Sequence, residues 1–222
     1  MKKVINEPKP ANNKKKRLVI LASGTGTLFL SIVKSCKTGH LKAEVIHLIS
    51  DHNQAPVLEK AKKENISVKI LNPKKFSSFS DWDKALCRYL KSQKPDLILL
   101  AGFIKKIGPG VLSFFKNRIL NIHPSLLPRH GGYGMYGVHV HRSVLEVGDK
   151  KTGISIHLVS EEYDAGPILA QIEIPVSPKD TPESLQKKVK QIEPTFYIST
   201  LRKILTGEIP LRKDTNPEEH NI

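Results

Sequence analysis

The sequence of 222 residues has little cysteine, few acidic residues and no long apolar run. Its two cysteines, Cys36 and Cys87, fall in stretches with helical spacing and lack the spacing of metal ligands, so we expect reduced thiols. No apolar run is long enough to span a membrane, and no apolar stretch follows Lys2 and Lys3 as it would in a secretory signal. These absences predict a cytoplasmic globular protein.

The shortage of acidic side chains leaves a net charge of +15, from 36 Lys and Arg against 21 Asp and Glu. Residues 1–16 carry six lysines and have the composition of a disordered basic tail. We expect a single domain over 17–206 and a polar C-terminal tail over 207–222. The remaining positive charge indicates an anionic partner, either a phosphorylated or polycarboxylate metabolite or nucleic acid, and charge alone does not decide between them.

Short apolar runs alternate with amphipathic stretches, which is typical of a parallel sheet with right-handed crossover helices. Two alternating strands between residues 152 and 176 predict an antiparallel hairpin, and Pro194 is expected to kink or split a helical stretch at 184–205. The predicted fold is α/β: a Rossmann-like, open, twisted, mostly parallel sheet with helices on both faces and an antiparallel hairpin near the C-terminus. Asp81 is the expected N-cap of a helix whose Trp82 faces the core.

At 120–128 the chain reads L-N-I-H-P-S-L-L-P, so that Asn121 and His123 lie two residues apart where a predicted buried strand ends. Side chains alternate along a strand, so both point to one face, at the carboxyl edge where open α/β sheets bind ligands. Asn can donate to a developing oxyanion and His can exchange a proton near neutral pH, which suits acyl transfer between nitrogens. For this pair alone, a satisfied Asn beside a core His is the simpler interpretation.

A glycine-rich turn at 23–27 joins the first strand to an amphipathic helix. Backbone N–H groups and the helix dipole bind anions at such turns. The third glycine of a dinucleotide fingerprint is missing because position 29 is Phe, and no Gly-Lys-Ser/Thr follows for a nucleoside triphosphate. The turn predicts a small phosphate site, with a tight connection that binds nothing as an equal alternative.

The segment 129–138 holds four glycines and two tyrosines, and we interpret it as a mobile loop that covers the site. His139 and His141 follow at the start of a predicted helix. Residues i and i+2 of a helix do not share a face, and no third ligand has a sensible spacing, so we do not expect a metal site.

The turn of the predicted hairpin supplies the candidate carboxylate. Asp164 would lie beside His123, raise the pKa of its imidazole and order water. The alternative is turn chemistry, because D-x-G-P is common in turns. Glu161 and Glu162 are rival carboxylates that the sequence does not exclude.

Together these motifs resemble the phosphoribosylglycinamide formyltransferases of purine synthesis. The resemblance runs in order from about residue 17 to residue 205 and rests on S-G-T-G-T, A-G-F, N-I-H-P-S-L-L-P, H-x-H-R and G-I-S-I-H-L-V-S-E-E-Y-D-A-G-P-I-L-A-Q. N-I-H-P-S-L-L-P with a downstream D-x-G-P is specific to the wider group that uses 10-formyltetrahydrofolate, and the S-G-x-G turn narrows it to the glycinamide enzymes.

The resemblance implies that 17–206 form a formyltransferase catalytic domain. Its formyl group would come from 10-formyltetrahydrofolate, a co-substrate, and no metal would take part. The acceptor would be the amine of 5'-phosphoribosylglycinamide, and the products would be N-formylglycinamide ribonucleotide and tetrahydrofolate, in de novo purine (IMP) biosynthesis.

By resemblance, the catalytic residues are Asn121, His123 and Asp164. Asn121 and protonated His123 would stabilise the oxyanion, and Asp164 would keep His123 protonated and help to relay the proton of the amine. The implied substrate-binding residues are Gly26, Thr27, Leu28, Lys190 and Glu193. The implied cofactor-binding residues, which line a pteridine pocket, are Ile104, Lys105, Lys106, Ile107 and Asn121.

Several positions depart from the family's pattern. Leu28 stands where the family often has Asn, so that only its backbone can bind phosphate, and Lys105 stands where Arg is common. Phe79 falls near the place of a folate-contacting Arg. The glycine-rich loop at 131–137 is longer than in short family members, and the resemblance implies a cis proline at Pro128.

Three other functions compete with this one. A methionyl-tRNA formyltransferase catalytic domain shares the motif and suits the basic charge, but that family carries a further RNA-binding domain, which we do not expect here. A folate deformylase has the same core behind an N-terminal regulatory domain, which we also do not expect. A non-catalytic nucleotide- or nucleic-acid-binding α/β protein leaves the shared face of Asn121 and His123 unexplained. We expect small-molecule substrates, no nucleic-acid or membrane partner, and a monomer or a homodimer.

Overall fold

The computed structural model describes residues 14–211. Most of the two predicted tails therefore lies outside the described residues. Where the predicted domain boundaries fall on described residues, the first strand begins at Lys16 and the last helix ends at Thr206.

Seven strands and six helices follow one another along the described part of the chain. The strands are β1 (Lys16–Leu21), β2 (Ala43–Ser50), β3 (Ser67–Ile70), β4 (Leu97–Leu100), β5 (Ile119–His123), β6 (Lys151–Leu158) and β7 (Ile168–Pro175). The helices are α1 (Thr27–Lys37), α2 (Val57–Lys63), α3 (Phe79–Gln93), α4 (Pro109–Phe114), α5 (Val138–Val147) and α6 (Pro182–Thr206). A short 3₁₀ helix, Pro73–Lys75, lies between β3 and α3.

The strands form one sheet in the order β3-β2-β1-β4-β5-β6-β7. The first five strands of this order are parallel to one another, whereas β6 runs antiparallel to both β5 and β7. The predicted α/β fold, a mostly parallel sheet with an antiparallel hairpin near the C-terminus, is confirmed. Because strand order reverses direction at β1, the loops after β1 and β4 open a crevice at the carboxyl edge.

Each face of the sheet has its own apolar core, so the helices lie on both faces as predicted. One core joins Phe29 of α1 and Leu201 of α6 to the sheet. The other holds Trp82 of α3 and Val111 of α4. Trp82 is 1% exposed and donates its indole N–H to the carbonyl of Leu71 at 3.0 Å, which confirms it as a core residue.

Two local predictions are corrected by the structure. Asp81 does not cap α3: Ser78 is the N-cap, and its hydroxyl accepts the backbone N–H of Asp81 at 3.1 Å. Asp81 sits three residues after the cap and accepts the Ser78 hydroxyl hydrogen at 2.8 Å, so it supports the cap that it was expected to form. Pro194 does not split α6, which runs without interruption through it.

Asp83 connects α3 to the first turn of α4. This residue is 4% exposed, and its carboxylate accepts the backbone N–H groups of Gly110 at 2.8 Å and Val111 at 3.3 Å. A Cβ built on Gly108 would collide with the Asp83 side chain, so the glycine allows this close approach. The contact fixes the start of α4 and with it the segment that leaves β4 toward the crevice.

We predict that Asp83→Ala lowers the free energy of unfolding by about 1–3 kcal/mol, because two helix N–H groups lose their acceptor in a buried place. Urea denaturation measures this change. Glu44→Gln is the matched control: it removes a carboxylate from an exposed pair with Arg17 at 3.6 Å and should cost less than about 1 kcal/mol. Equal losses in both variants would contradict the role given to Asp83.

Candidate active site

A cleft of about 960 Å³ opens at the carboxyl edge of the sheet. The sequence predicted twelve different site residues, and all of them line this cleft: Gly26, Thr27, Leu28, Ile104, Lys105, Lys106, Ile107, Asn121, His123, Asp164, Lys190 and Glu193. The structure thus brings together residues from five separate stretches of the chain. Their individual roles remain predictions.

Asn121 and His123 occupy alternate positions near the end of β5, on the same side of the sheet. Antiparallel pairing with β6 sets Asn121 opposite His157 and His123 opposite Ser155. Ser155 is fully buried, and its hydroxyl donates to the carbonyl of Ser125 at 2.6 Å. It therefore holds the chain where it turns away from β5, directly after His123.

Asp164 is the carboxylate that reaches His123, and the rivals Glu161 and Glu162 are exposed. Its Oδ2 lies 3.3 Å from His123 Nδ1 and accepts the backbone N–H of Gly132 at 3.0 Å. Its Oδ1 accepts from Asn121 Nδ2 at 3.3 Å. Asp164 adopts the left-handed backbone conformation, with φ of 55°, which is strained for a residue other than glycine.

Burial and charge compete in setting the pKa values of this pair. Burial would raise the pKa of Asp164, but the nearby imidazoles of His157 and His123 and the N–H of Gly132 together hold it below its ordinary value. Burial lowers the pKa of His123 below its ordinary value, although Asp164 and the carbonyl of His130 act to raise it. The prediction that Asp164 acts to raise the pKa of His123 is confirmed, and burial outweighs this contribution.

His157 is a site residue that the sequence analysis did not single out. It is 2% exposed, and its Nδ1 donates to the carbonyl of Leu158 at 2.9 Å, because a carbonyl can only accept. Its Nε2 is then free to accept from Asn121 Nδ2 at 3.0 Å. His157 thereby orients the Asn121 amide. Only the pairing of β5 with β6 reveals this contact.

The glycine-rich turn has the geometry of an anion site. Gly26 is the N-cap of α1 with φ of 74°, and a Cβ at this position would overlap the side chain of Val57. Among residues 14–211, no side chain caps the N-terminus of α1 and no acidic residue lies in its first turn. The backbone N–H groups at the start of α1 are therefore available to a ligand in the cleft.

The opposite wall of the cleft carries ionisable groups on α5 and α6. Burial raises the pKa of Glu193 to about 6, with Lys190 acting against it. Burial, Lys190 and His123 lower the pKa of His141 to about 4, so this histidine is neutral at physiological pH. His139 is exposed whereas His141 is 1% exposed, so this pair does not face one ligand.

The segment after β4 forms a further part of the wall. Ile104 is exposed and Ile107 is buried, and Lys105 Nζ lies 3.8 Å from the buried carboxylate of Asp51 at the end of β2. Phe79, which falls where the resemblance expects an Arg, also lines the cleft and packs against Trp82.

The glycine-rich loop at 131–137 borders the cleft. Tyr133 is 89% exposed, and its ring meets that of Tyr163 edge to face with 5.8 Å between centroids. The peptide bond between Leu127 and Pro128 is cis, as the resemblance implied. Whether the loop moves is a prediction that the structure does not test.

An α/β sheet with an amide, an imidazole and a carboxylate in contact at its carboxyl edge defines a class of group-transfer enzyme. The chain belongs to the formyl transferase family, which matches residues 16–201. It is 38% identical over 206 residues to the chloroplastic phosphoribosylglycinamide formyltransferase of Arabidopsis thaliana, covering 92% of this chain and 70% of that protein.

Similarity to the phosphoribosylglycinamide formyltransferases extends to bacterial proteins and to solved structures. The Escherichia coli enzyme of that name is 32% identical over 197 residues, covering 89% of this chain and 91% of that protein. The crystal structure of the Bacillus halodurans enzyme superimposes with a TM-score of 0.81 at 38% identity, covering 87% of this chain and 97% of that one. These relatives confirm the family resemblance read from the motifs.

We predict that His141→Gln reduces the loss of stability on acidification. Buried neutral His141 has a pKa of about 4, so between that pH and about 6.5 the unfolded chain binds the extra proton and unfolding becomes easier as pH falls. From pH 7 to pH 5 the wild type should lose about 2 kcal/mol more than the variant. Urea denaturation at both pH values gives the difference. Glu193 titrates in this range with the opposite sign, and the comparison cancels its contribution because both proteins contain it.

Proposed function

We propose that this protein transfers the formyl group of 10-formyltetrahydrofolate to the amine of 5'-phosphoribosylglycinamide, yielding N-formylglycinamide ribonucleotide and tetrahydrofolate. The observation that carries the proposal is the contact of Asp164 with both Asn121 and His123, in the same cleft as an uncapped helix N-terminus. Such a cleft can hold a phosphate at one end and an acyl-transfer centre at the other. The names of the relatives support this assignment.

In the proposed reaction the substrate amine attacks the formyl carbon, and the bond from that carbon to N10 of the folate then breaks. Negative charge develops on the formyl oxygen. Asn121 donates to that oxygen through Nδ2; its 3.3 Å bond to Asp164 is longer than its 3.0 Å bond to His157 and is the one that gives way. The proton lost by the amine ends on N10 of the leaving folate.

His123 and Asp164 stabilise the negative charge on the formyl oxygen and transfer the proton of the amine. At rest burial favours neutral His123, but its ring lies between two acceptors, the carbonyl of His130 at 2.8 Å and the carboxylate of Asp164 at 3.3 Å. A developing oxyanion raises the proton affinity of this imidazole, and the resulting imidazolium stabilises the tetrahedral intermediate. The low pKa of Asp164 keeps it ionised, so that it orders water and relays the amine proton.

The remaining wall residues bind the substrates. The N–H groups of Gly26, Thr27 and Leu28 would bind the phosphate, and Leu28 contributes only its backbone. Lys190 and Glu193 on α6 would bind the ribose and glycinamide portion. The pteridine would lie against Ile104, Lys105, Lys106 and Ile107. No metal is needed, and we expect a cytoplasmic monomer or homodimer.

The competing functions account for less of this geometry. A methionyl-tRNA formyltransferase would use the same catalytic residues, but a transfer RNA has no need of a phosphate site within the catalytic cleft. A non-catalytic nucleotide-binding protein would use the turn and leave the burial and mutual contact of His123 and Asp164 unexplained.

No helix within residues 14–211 has the length and apolar character to cross a membrane.

We predict that Asn121→Ala and His123→Ala each lower kcat by about a hundredfold or more, because each removes stabilisation of the oxyanion. Thermal melting and phosphate binding should stay near those of the wild type. Steady-state formyl transfer followed by the absorbance of the folate product measures the effect. His40→Ala, which changes an exposed histidine after α1, is the control and should retain full activity. Near-normal turnover in Asn121→Ala or His123→Ala would refute the mechanism.

We predict that Gly26→Ala raises the KM for the ribonucleotide by roughly tenfold or more while the KM for the folate stays unchanged. The added methyl overlaps Val57 and is strained at φ of 74°, so the turn must shift away from the phosphate position. Gly24→Ala is the matched control for folding, because a Cβ there meets no atom within 4 Å and it should melt as the wild type does. An unchanged KM for the ribonucleotide would show that its phosphate does not bind at this turn.

A further inference from the structure

His130 lies behind the candidate active site, and its backbone touches the reacting imidazole. The carbonyl of His130 accepts a hydrogen bond from His123 Nε2 at 2.8 Å. Since a carbonyl can only accept, Nε2 must carry a hydrogen, and Nδ1 then faces Asp164 Oδ2 at 3.3 Å. The position of this one carbonyl therefore sets both the tautomer and the orientation of His123.

The His130 backbone is not in a conformation that the chain adopts by default. Its φ is 55°, in the left-handed region, which only a few per cent of residues other than glycine adopt. Such a conformation persists only when its surroundings hold it. Here the ring is held at both nitrogens: Nδ1 lies 2.8 Å from Ser143 Oγ, and Nε2 lies 2.9 Å from Asp149 Oδ2. The side chain is only 7% exposed.

Both anchors of the His130 ring belong to one rigid element. Ser143 lies on α5, and Asp149 follows its C-terminal cap. Gly148, with φ of 77°, donates to the carbonyl of Leu145 at 3.1 Å, and the N–H of Asp149 bonds to the carbonyl of Val144 at 3.2 Å. This is a Schellman cap, which fixes the Asp149 carboxylate relative to α5.

The second oxygen of Asp149 secures the neighbouring residue of the same turn. Arg129 bonds to Asp149 Oδ1 at 2.6 Å, and the Arg129 carbonyl accepts the hydroxyl of Ser125 at 2.6 Å. Asp149 thus bonds to both Arg129 and His130. The residues between His123 and this turn are also held by hydrogen bonds to buried side chains. A rigid path of bonds joins the end of α5 to the imidazole of His123.

We propose that Asp149 and the His130 ring are positioning residues for His123, acting through the His130 carbonyl. The proposal rests on the proposed function for its kinetic consequence. Without the Asp149 carboxylate the left-handed turn relaxes, the carbonyl leaves His123 Nε2, and the imidazole loses its fixed direction toward the reacting centre. Neither residue touches substrate, so substrate binding stays intact.

The kinetic test is Asp149→Asn in the full chain. We expect kcat to fall roughly tenfold or more, with KM for both substrates unchanged, because misplacement of a catalytic group affects the transition state first. Ser143→Ala removes one of the two ring contacts and should give a smaller fall in the same direction. Glu173→Gln is the matched control, because it breaks an exposed carboxylate pair with Lys151 at 2.6 Å and should leave kcat unchanged.

The structural test observes His123 directly by ¹⁵N NMR of the imidazole nitrogens. The wild type should show a neutral His123 with hydrogen on Nε2, and Asp149→Asn or His130→Asn should change that signature while thermal melting remains cooperative. An unchanged His123 signature, or an unchanged kcat in Asp149→Asn, would overturn the proposal. A wild type that transfers no formyl group would refute the proposed function instead, since the NMR result does not depend on turnover.

Discussion

The arrangement of the site depends on the contacts of the Asp164 carboxylate. Its two oxygens contact groups from two separate parts of the chain: Asn121 and His123 on β5, and the Gly132 N–H in the glycine-rich loop. These bonds hold Asp164 in a strained backbone conformation and keep its pKa low despite burial. One ionised carboxylate thereby orients an amide donor, faces an imidazole and pins the edge of the cleft.

The sheet makes this arrangement possible. Antiparallel pairing sets Leu158, at the end of β6, opposite Leu120, and the connection from β6 to β7 then carries Asp164 into contact with Asn121 and His123. Parallel strands β1 and β4 bring the glycine-rich turn at 23–27 and the segment 104–107 to the carboxyl edge of the sheet. Strand pairing therefore fixes the distance between the two ends of the cleft. The conformation of the loop at 131–137 is not determined by strand pairing.

Patterns of short range were enough to predict the fold and much of the site. The period of two in N-I-H put Asn121 and His123 on one face, and the strand–turn–helix pattern located Gly26. Long-range pairing was not available from the sequence, so Asp164 could not be separated from Glu161 and Glu162, and His157, His130 and Asp149 were missed. The net direction of the His123 pKa shift could not be predicted because it depends on burial, which only the folded structure gives. Ser78 was overlooked as a cap because Asp81, three residues on, is also a good capping residue.

The central claim is most directly tested by offering 10-formyltetrahydrofolate to the purified protein with glycinamide ribonucleotide, with charged initiator tRNA, and with no acceptor, in parallel. Product would be identified by mass. Our account predicts rapid formation of N-formylglycinamide ribonucleotide, no formylated tRNA, and no loss of the folate when acceptor is omitted. Formylation of the tRNA alone, or loss of the formyl group without an acceptor, would contradict this account and leave the glycine-rich turn at 23–27 with a structural role only.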